Sequence, residues 1–139
     1  MTRVTRRYKF SASHRLHSAA MSEAENEELY GKCNNPFGHG HNYELEVTVR
    51  GPVDAKSGRV VNIGELDQYV AREVIEPFDH KDVNRDIPDF QDLVATTENI
   101  SVVIERRLRR AWDGTFAAAA LDRVRVQETK RNLFELRDL

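Results

Sequence analysis

The chain predicts an α+β domain, an antiparallel sheet with two helices on one face. Three observations predict it. Two-residue alternation of apolar and polar side chains occurs near both ends of the chain, two helical patterns follow one another in the middle, and Gly/Pro turns bracket the early strands. The 139 residues suffice for a single domain, 1–139, with a real core, and 40% hydrophobic with 32% charged residues is ordinary for a soluble chain.

Val4, Arg6, Tyr8, Phe10 and Ala12 alternate with Thr5, Arg7, Lys9 and Ser11, giving a first strand that ends near His14. Ser22 to Leu29 is acidic and predicts a short surface helix, with Ser22 as cap and Glu25 at the capping-box position. Gly31 to Gly40 holds Gly, Asn and Pro and reads as a loop. Residues 42–50 make a second strand, and after a turn bracketed by Gly51-Pro52 and Ser57-Gly58, Arg59 to Ile63 are expected to return as a third. A helix starts near Gly64, buries Leu66, Tyr69, Val70 and Val74, and is stopped by Pro77. Asp79 to Asp92 reads as irregular and acidic. Thr97 is expected to cap a second helix with Ile100, Val103, Ile104, Leu108 and Ala111 on its apolar stripe and Gly114 at its end. Val124 and Val126 mark a fourth strand carrying Glu128, and Leu133 to Leu136 a short last one. The order is β-β-β-α-α-β-β. A sheet of about four strands has two open edges, and pairing between subunits is one way to close them.

A net charge of −2 gives no reason to expect nucleic acid or an anionic membrane as partner, and the pairs Arg106-Arg107 and Arg109-Arg110 read as a solvated helix face. No apolar run approaches the ~20 residues of a membrane span. The basic start, Met1 to Arg7, lacks an apolar secretory core, and the single cysteine cannot form an internal disulfide, so the expected location is cytoplasmic.

The chemistry concentrates in His14, Cys33, His39 and His41. Side chains two apart on a strand share a face, so His39 and His41 can present two imidazoles to one ion, and imidazole with thiolate suits Zn²⁺. Two arrangements stay open at this level, beside that of ordinary polar histidines. In one, His14, His39 and His41 hold zinc and Cys33 is a free, reactive thiol. In the other, Cys33 is the fourth ligand and the metal staples the loop. Lys32 and a metal nearby would both favour the thiolate, which makes Cys33 a credible base. Asp79 precedes His80, and a carboxylate can orient and charge an imidazole, although sequence neighbours often point apart. Glu128 is in line with core valines, where an unpaired charge is costly. It is expected either to bind a ligand donor or a basic side chain, or to emerge at a strand end. A zinc hydrolase is disfavoured, because no His-Glu-x-x-His motif is present.

Phe10-Ser11-Ala12-Ser13-His14-Arg15-Leu16, Gly31-Lys32-Cys33-Asn34-Asn35-Pro36, Gly38-His39-Gly40-His41-Asn42-Tyr43, Asp79-His80-Lys81 and Thr96-Thr97-Glu98-Asn99 follow one another in an order that resembles the 6-pyruvoyl-tetrahydropterin synthase family. The resemblance implies the tunnelling fold, in which sheets of three subunits join edge to edge into a trimeric barrel and two trimers stack into a hexamer with sites between subunits. It implies Zn²⁺ on His14, His39 and His41, Cys33 as proton acceptor, Asp79 with His80 as a proton relay, Glu128 as anchor of the pterin ring, and Thr96 and Thr97 in the substrate pocket. The implied reaction converts 7,8-dihydroneopterin triphosphate to 6-pyruvoyl-tetrahydropterin with elimination of triphosphate, in tetrahydrobiopterin biosynthesis. A related branch makes 6-carboxy-tetrahydropterin for queuosine; the five residues Asn34 to Gly38 between Cys33 and His39 favour the pyruvoyl branch. A zinc-stapled pterin-binding module without turnover is the alternative from another class. Phe37 beside the metal motif and the tail Asn132 to Leu139 depart from the family pattern.

Overall fold

A computed structural model describes residues 1–137. The last two residues of the tail 132–139 lie outside the described residues. Strand β1 (Thr2–His14) pairs antiparallel with β2 (His39–Gly51) along its whole length, from Thr2 opposite Gly51 to His14 opposite His39. Between them lies α1 (Glu23–Tyr30), with Ser22 and Glu25 forming the expected reciprocal capping box. Strand β4 (Ala120–Gln127) pairs with the other edge of β2, and β5 (Leu133–Arg137) pairs with β4. A two-residue strand, β3 (Lys81–Asp82), adds in parallel to β1, so the sheet order is β3-β1-β2-β4-β5.

The expected third strand over Arg59 to Ile63 does not form. The position beside β2 that a hairpin partner would take is occupied by β4, from the far end of the chain. Val61 is buried and Val60 and Ile63 pack against the core without pairing, and Asn62 caps the next helix through its side chain on Glu65 N.

That helix, α2 (Ile63–Val70), buries Leu66, Tyr69 and Val70 as its periodicity predicts. It widens into a π turn at Ala71–Ile75 and continues through α3 (Glu76–Phe78). Pro77 therefore does not stop it. The chain stays helical one residue past the proline, where Phe78 reaches the core. The segment after it is more ordered than its composition suggests, with β3, a short helix α4 (Val83–Asp86) capped by Asp82, and a 3₁₀ turn at Pro88–Phe90. Helix α5 (Thr97–Arg110) is capped by Thr96 rather than Thr97. It ends at Ala111, which is exposed, before Gly114; Gly114 falls within a further turn, α6 (Trp112–Thr115).

The core lies on one sheet face, where Phe10 and Ala12 of β1, Tyr43, Leu45, Val47 and Val49 of β2, and Val124 and Val126 of β4 meet Leu66, Val70, Ile100, Ile104 and Leu108 from the helices. The opposite face is laced with charge: Glu46 pairs with Arg7 and Arg125, and Glu135 with Arg123, Arg125 and Arg137.

Arg107 of α5 ties this helix to the 3₁₀ turn, donating to Asp89 at 2.7 Å while its guanidinium lies 5.5 Å from the Phe78 ring centre. Burial pushes the Asp89 carboxyl up, but the Arg107 hydrogen bond and charge outweigh it and hold it below its ordinary value. A depressed carboxyl contributes stability above its unfolded pKa that is lost as pH falls through the folded one. Arg107→Met is therefore expected to cost about 1–2 kcal/mol at pH 7, and the deficit relative to wild type should shrink below about pH 4. Urea titrations at the two pH values measure this.

Candidate metal centre

The three histidines converge because of strand register. His14 is directly opposite His39, and Ala12 is opposite His41, so the three side chains leave one sheet face at one end, continuing the row Leu45, Tyr43. The ring centres of His14 and His39, and of His39 and His41, are 4.8 Å apart, and those of His14 and His41 5.2 Å. Glu128, just past the end of β4, comes to the same point. One ligand atom from each of His14, His39, His41 and Glu128 lies within 4.8 Å of the others.

His14 is fully buried, and its Nδ1 lies 2.7 Å from the carbonyl of Ala95. A carbonyl only accepts, so Nδ1 is the donor in this contact and Nε2 is the nitrogen turned to the cluster. The Nε2 atoms of His14 and His41 are buried with no hydrogen-bond partner. They face Glu128 Oε1 at 3.5 Å and 3.1 Å. Burial pushes the His39 imidazole below its ordinary value, helped by the neighbouring His14 and His41, and burial lowers His41 too, against the pull of Glu128. Three imidazoles converging beside a carboxylate, two of them with buried and unpartnered Nε2 atoms, are what a divalent cation requires. The His14 interaction first, then the Thr97 hydroxyl and the charge of His41, outweigh burial and hold the Glu128 carboxyl at about 2. It is ionised throughout the physiological range. Glu128 thus stands just past the strand end with its carboxylate turned to His14, His41 and Thr97.

The loop into β2 is set by Gly38. Its φ of +70° is a conformation that L side chains rarely adopt, and a Cβ there would sit 3.0 Å from the His14 carbonyl oxygen. Gly38→Ala is expected to cost about 1–2 kcal/mol in backbone strain and, by shifting His14 against His39, roughly ten-fold in metal affinity. A chelator competition assay reads the second effect directly.

Cys33 is not one of these four donors. It occupies a 3₁₀ turn (Gly31–Asn34) and is partly exposed. Glu128, not the thiol, supplies the fourth donor near the imidazoles.

Asp79 and His80 do touch, which adjacency alone did not promise. Asp79 Oδ2 lies 3.0 Å from His80 Nδ1, and Asp79 Oδ1 accepts from the backbone N–H of Ser11 at 2.8 Å. The Ser11 bond first, with help from His80, holds the Asp79 carboxyl below its ordinary value. His80 has φ +59°, a left-handed conformation fixed by its N–H bond to the Ser11 carbonyl at 2.6 Å. That clamp leaves the imidazole turned to the outside, 83% exposed. It lines a cavity of about 530 Å³ together with Ser11, Ser13, His41, Asn42 and Lys81.

The paired threonines divide their work. Thr96 Oγ1 accepts from Asn99 N as the helix cap, and Thr97, buried, donates from Oγ1 to Glu128 Oε2 at 2.7 Å. The Glu128–Thr97 link and the support of His14 by Ala95 are the features of the site that sequence reasoning missed. The first was within reach, since a buried threonine one residue after a cap needs a partner.

A sequence-family profile for 6-pyruvoyl tetrahydropterin synthase matches residues 3–138. The chain is 45% identical over 130 residues to a 6-pyruvoyl tetrahydrobiopterin synthase of Poecilia reticulata, covering 94% of this chain and 86% of that one. The solved structure of Caenorhabditis elegans 6-pyruvoyl tetrahydropterin synthase superposes with a TM-score of 0.89 at 35% identity, over 99% of this chain and 96% of that one. By contrast, a 6-carboxy-5,6,7,8-tetrahydropterin synthase of Rickettsia conorii is 34% identical over 80 residues, 58% of this chain and 49% of that one. With a profile match across almost every residue and a relative this similar over nearly the full length, the chain belongs to the 6-pyruvoyl tetrahydropterin synthase family.

Proposed function

We propose that the protein converts 7,8-dihydroneopterin triphosphate to 6-pyruvoyl-tetrahydropterin with elimination of triphosphate, as a zinc-dependent lyase of tetrahydrobiopterin synthesis. The observation that carries this reading is the convergence of three imidazoles and Glu128 at one end of the sheet, in a chain of this family. His14, His39 and His41 would hold the zinc. When bound, the metal supplies a Lewis acid for negative charge developing on substrate oxygens.

The chain's own residues supply the rest. Glu128, ionised and tied by Thr97, accepts hydrogen bonds from ring N–H and amine groups of the pterin. Thr96 shapes the same wall through the helix cap. The Cys33 thiolate removes a substrate proton, and His80, oriented by Asp79, returns one. Cys33 stands outside the cluster and the His80 ring is turned to the outside, so a neighbouring subunit completes the site. The sheet edges at β1 and β5 support this, since only the two residues of β3 cover the first. Pairing of these edges into a trimeric barrel, and of two trimers into a hexamer, is the assembly proposed, to be weighed by light scattering.

The pyruvoyl product is favoured over the carboxy product by the extent of the likeness, which runs the length of the chain for the first and just over half for the second. Incubation of the zinc-loaded protein with 7,8-dihydroneopterin triphosphate, followed by mass spectrometry, tests the reading. The expected product is 6-pyruvoyl-tetrahydropterin with one inorganic triphosphate per turnover. A 6-carboxy product would reassign the enzyme, and binding without turnover would make it a pterin-binding module.

A further inference from the structure

Among the described residues, the two hydrogen bonds that hold side chains of the histidine–Glu128 cluster from outside come from one short turn, 94–97. The Ala95 carbonyl accepts from His14 Nδ1 at 2.7 Å, and the Thr97 hydroxyl donates to Glu128 Oε2 at 2.7 Å. Such partners set how an imidazole and a carboxylate are turned toward a metal. A movement of this turn therefore moves two of the four donors at once.

Residues 94–96 lie between the 3₁₀ turn at Pro88–Phe90 and the start of α5, outside any regular element. Their three carbonyls are satisfied in three ways. Thr96 O accepts from Ile100 N at 2.9 Å, in the first turn of α5. Ala95 O faces His14. Val94 O accepts from the side-chain amide of Asn99 at 2.8 Å. Asn99 also donates its backbone N–H to Thr96 Oγ1 at 3.2 Å. Peptide groups are planar, so holding the carbonyls on both sides of Ala95 restricts the rotation left to its own. Ala95 is fully buried, and a displaced carbonyl there would lose its partner without gaining water.

We infer that Asn99 is a positioning residue for the metal centre: its side-chain amide locks the turn 94–97, and through Ala95 and Thr97 that turn aims the His14 imidazole and the Glu128 carboxylate at one point. This rests on the reading of the cluster as a metal site. The helix and the metal centre make different demands at this position. If Asn99 served the helix alone, aspartate would do as well or better, because negative charge suits a helix N-terminus. An ionised aspartate has no proton to donate, and its oxygen would face the Val94 carbonyl oxygen.

The test uses the whole chain, with zinc affinity read by competition with a chromophoric chelator at a temperature where every variant is folded, and the Tm of the metal-free protein read alongside. Asn99→Asp is expected to raise the zinc Kd roughly ten-fold, the low end for loss of a group that orients a ligand, and Asn99→Ala by a similar factor. Val102→Gly, on the exposed side of the same helix, is the control. It lowers Tm through helix propensity and keeps the zinc Kd within about two-fold of wild type. If Asn99→Asp binds zinc within about two-fold of wild type while His14→Ala binds none, the role of Asn99 is overturned and the metal centre stands. An equal loss of affinity in Val102→Gly overturns that role too, since instability alone would then account for the effect. If His14→Ala binds zinc as wild type does, both readings fall together.

Discussion

Replacing His14 with alanine is expected to abolish stoichiometric metal binding. His14 is the one buried imidazole of the three, and its Nε2 is aimed into the cluster by the bond from Nδ1 to Ala95. Removing the ring deletes a donor, leaves the Ala95 carbonyl without its partner and opens a void beside Tyr43. Loss of a supporting hydrogen bond alone lowers metal affinity by about 10- to 100-fold, so loss of the ligand itself should exceed the upper figure. The apo fold should weaken by about 2–4 kcal/mol, combining the void with the unpaired carbonyl. Thermal unfolding with and without zinc separates the two effects. Wild type is expected to gain Tm with zinc, as an ion that binds only the folded state raises it, and the variant should gain none. A variant that keeps one zinc per chain and the same zinc-dependent shift would remove His14 from the ligand set.

His80→Asn is expected to lower kcat by roughly 10²–10⁴-fold, the range of a positioned acid or base, while metal content and Tm stay near wild type. Asparagine is the appropriate substitution because the site has φ +59°, and asparagine tolerates the left-handed region well. The backbone clamp to Ser11 is thereby kept and only the imidazole is lost. Among the described residues the ring's polar partner is Asp79, and most of the ring is exposed, so little else is disturbed. A kcat within about three-fold of wild type would show that another group carries the proton.

Much of this was legible in the sequence because it is local. The alternation in β1 and β2 and the His-x-His spacing place three imidazoles on one face as soon as those strands pair, and the capping box of α1 is written in Ser22 and Glu25. What was misread depends on contacts distant in the chain. Arg59 to Ile63 has β-branched residues beside a turn, yet β4 competes for the same edge of β2 from sixty residues away. The two-residue β3 carries no periodicity at all. The confusion of Thr96 with Thr97 is a one-residue ambiguity that chemistry alone cannot break, because either hydroxyl can cap a helix and only burial tells which one reaches Glu128. Glu128 was recognisable as an anomaly in a row of valines, but its closeness to the imidazoles required the register of β2 with β4.

X-ray absorption spectroscopy of the zinc-loaded protein tests the metal-site geometry most directly. With His14, His39 and His41 as ligands and Cys33 apart, the first shell should contain nitrogen and oxygen scatterers alone, at about 2.0–2.2 Å, and the spectrum should be unchanged in Cys33→Ser. A sulfur scatterer at about 2.3 Å that disappears in Cys33→Ser would contradict it, and would return the thiol to the metal as a closed, structural ligand.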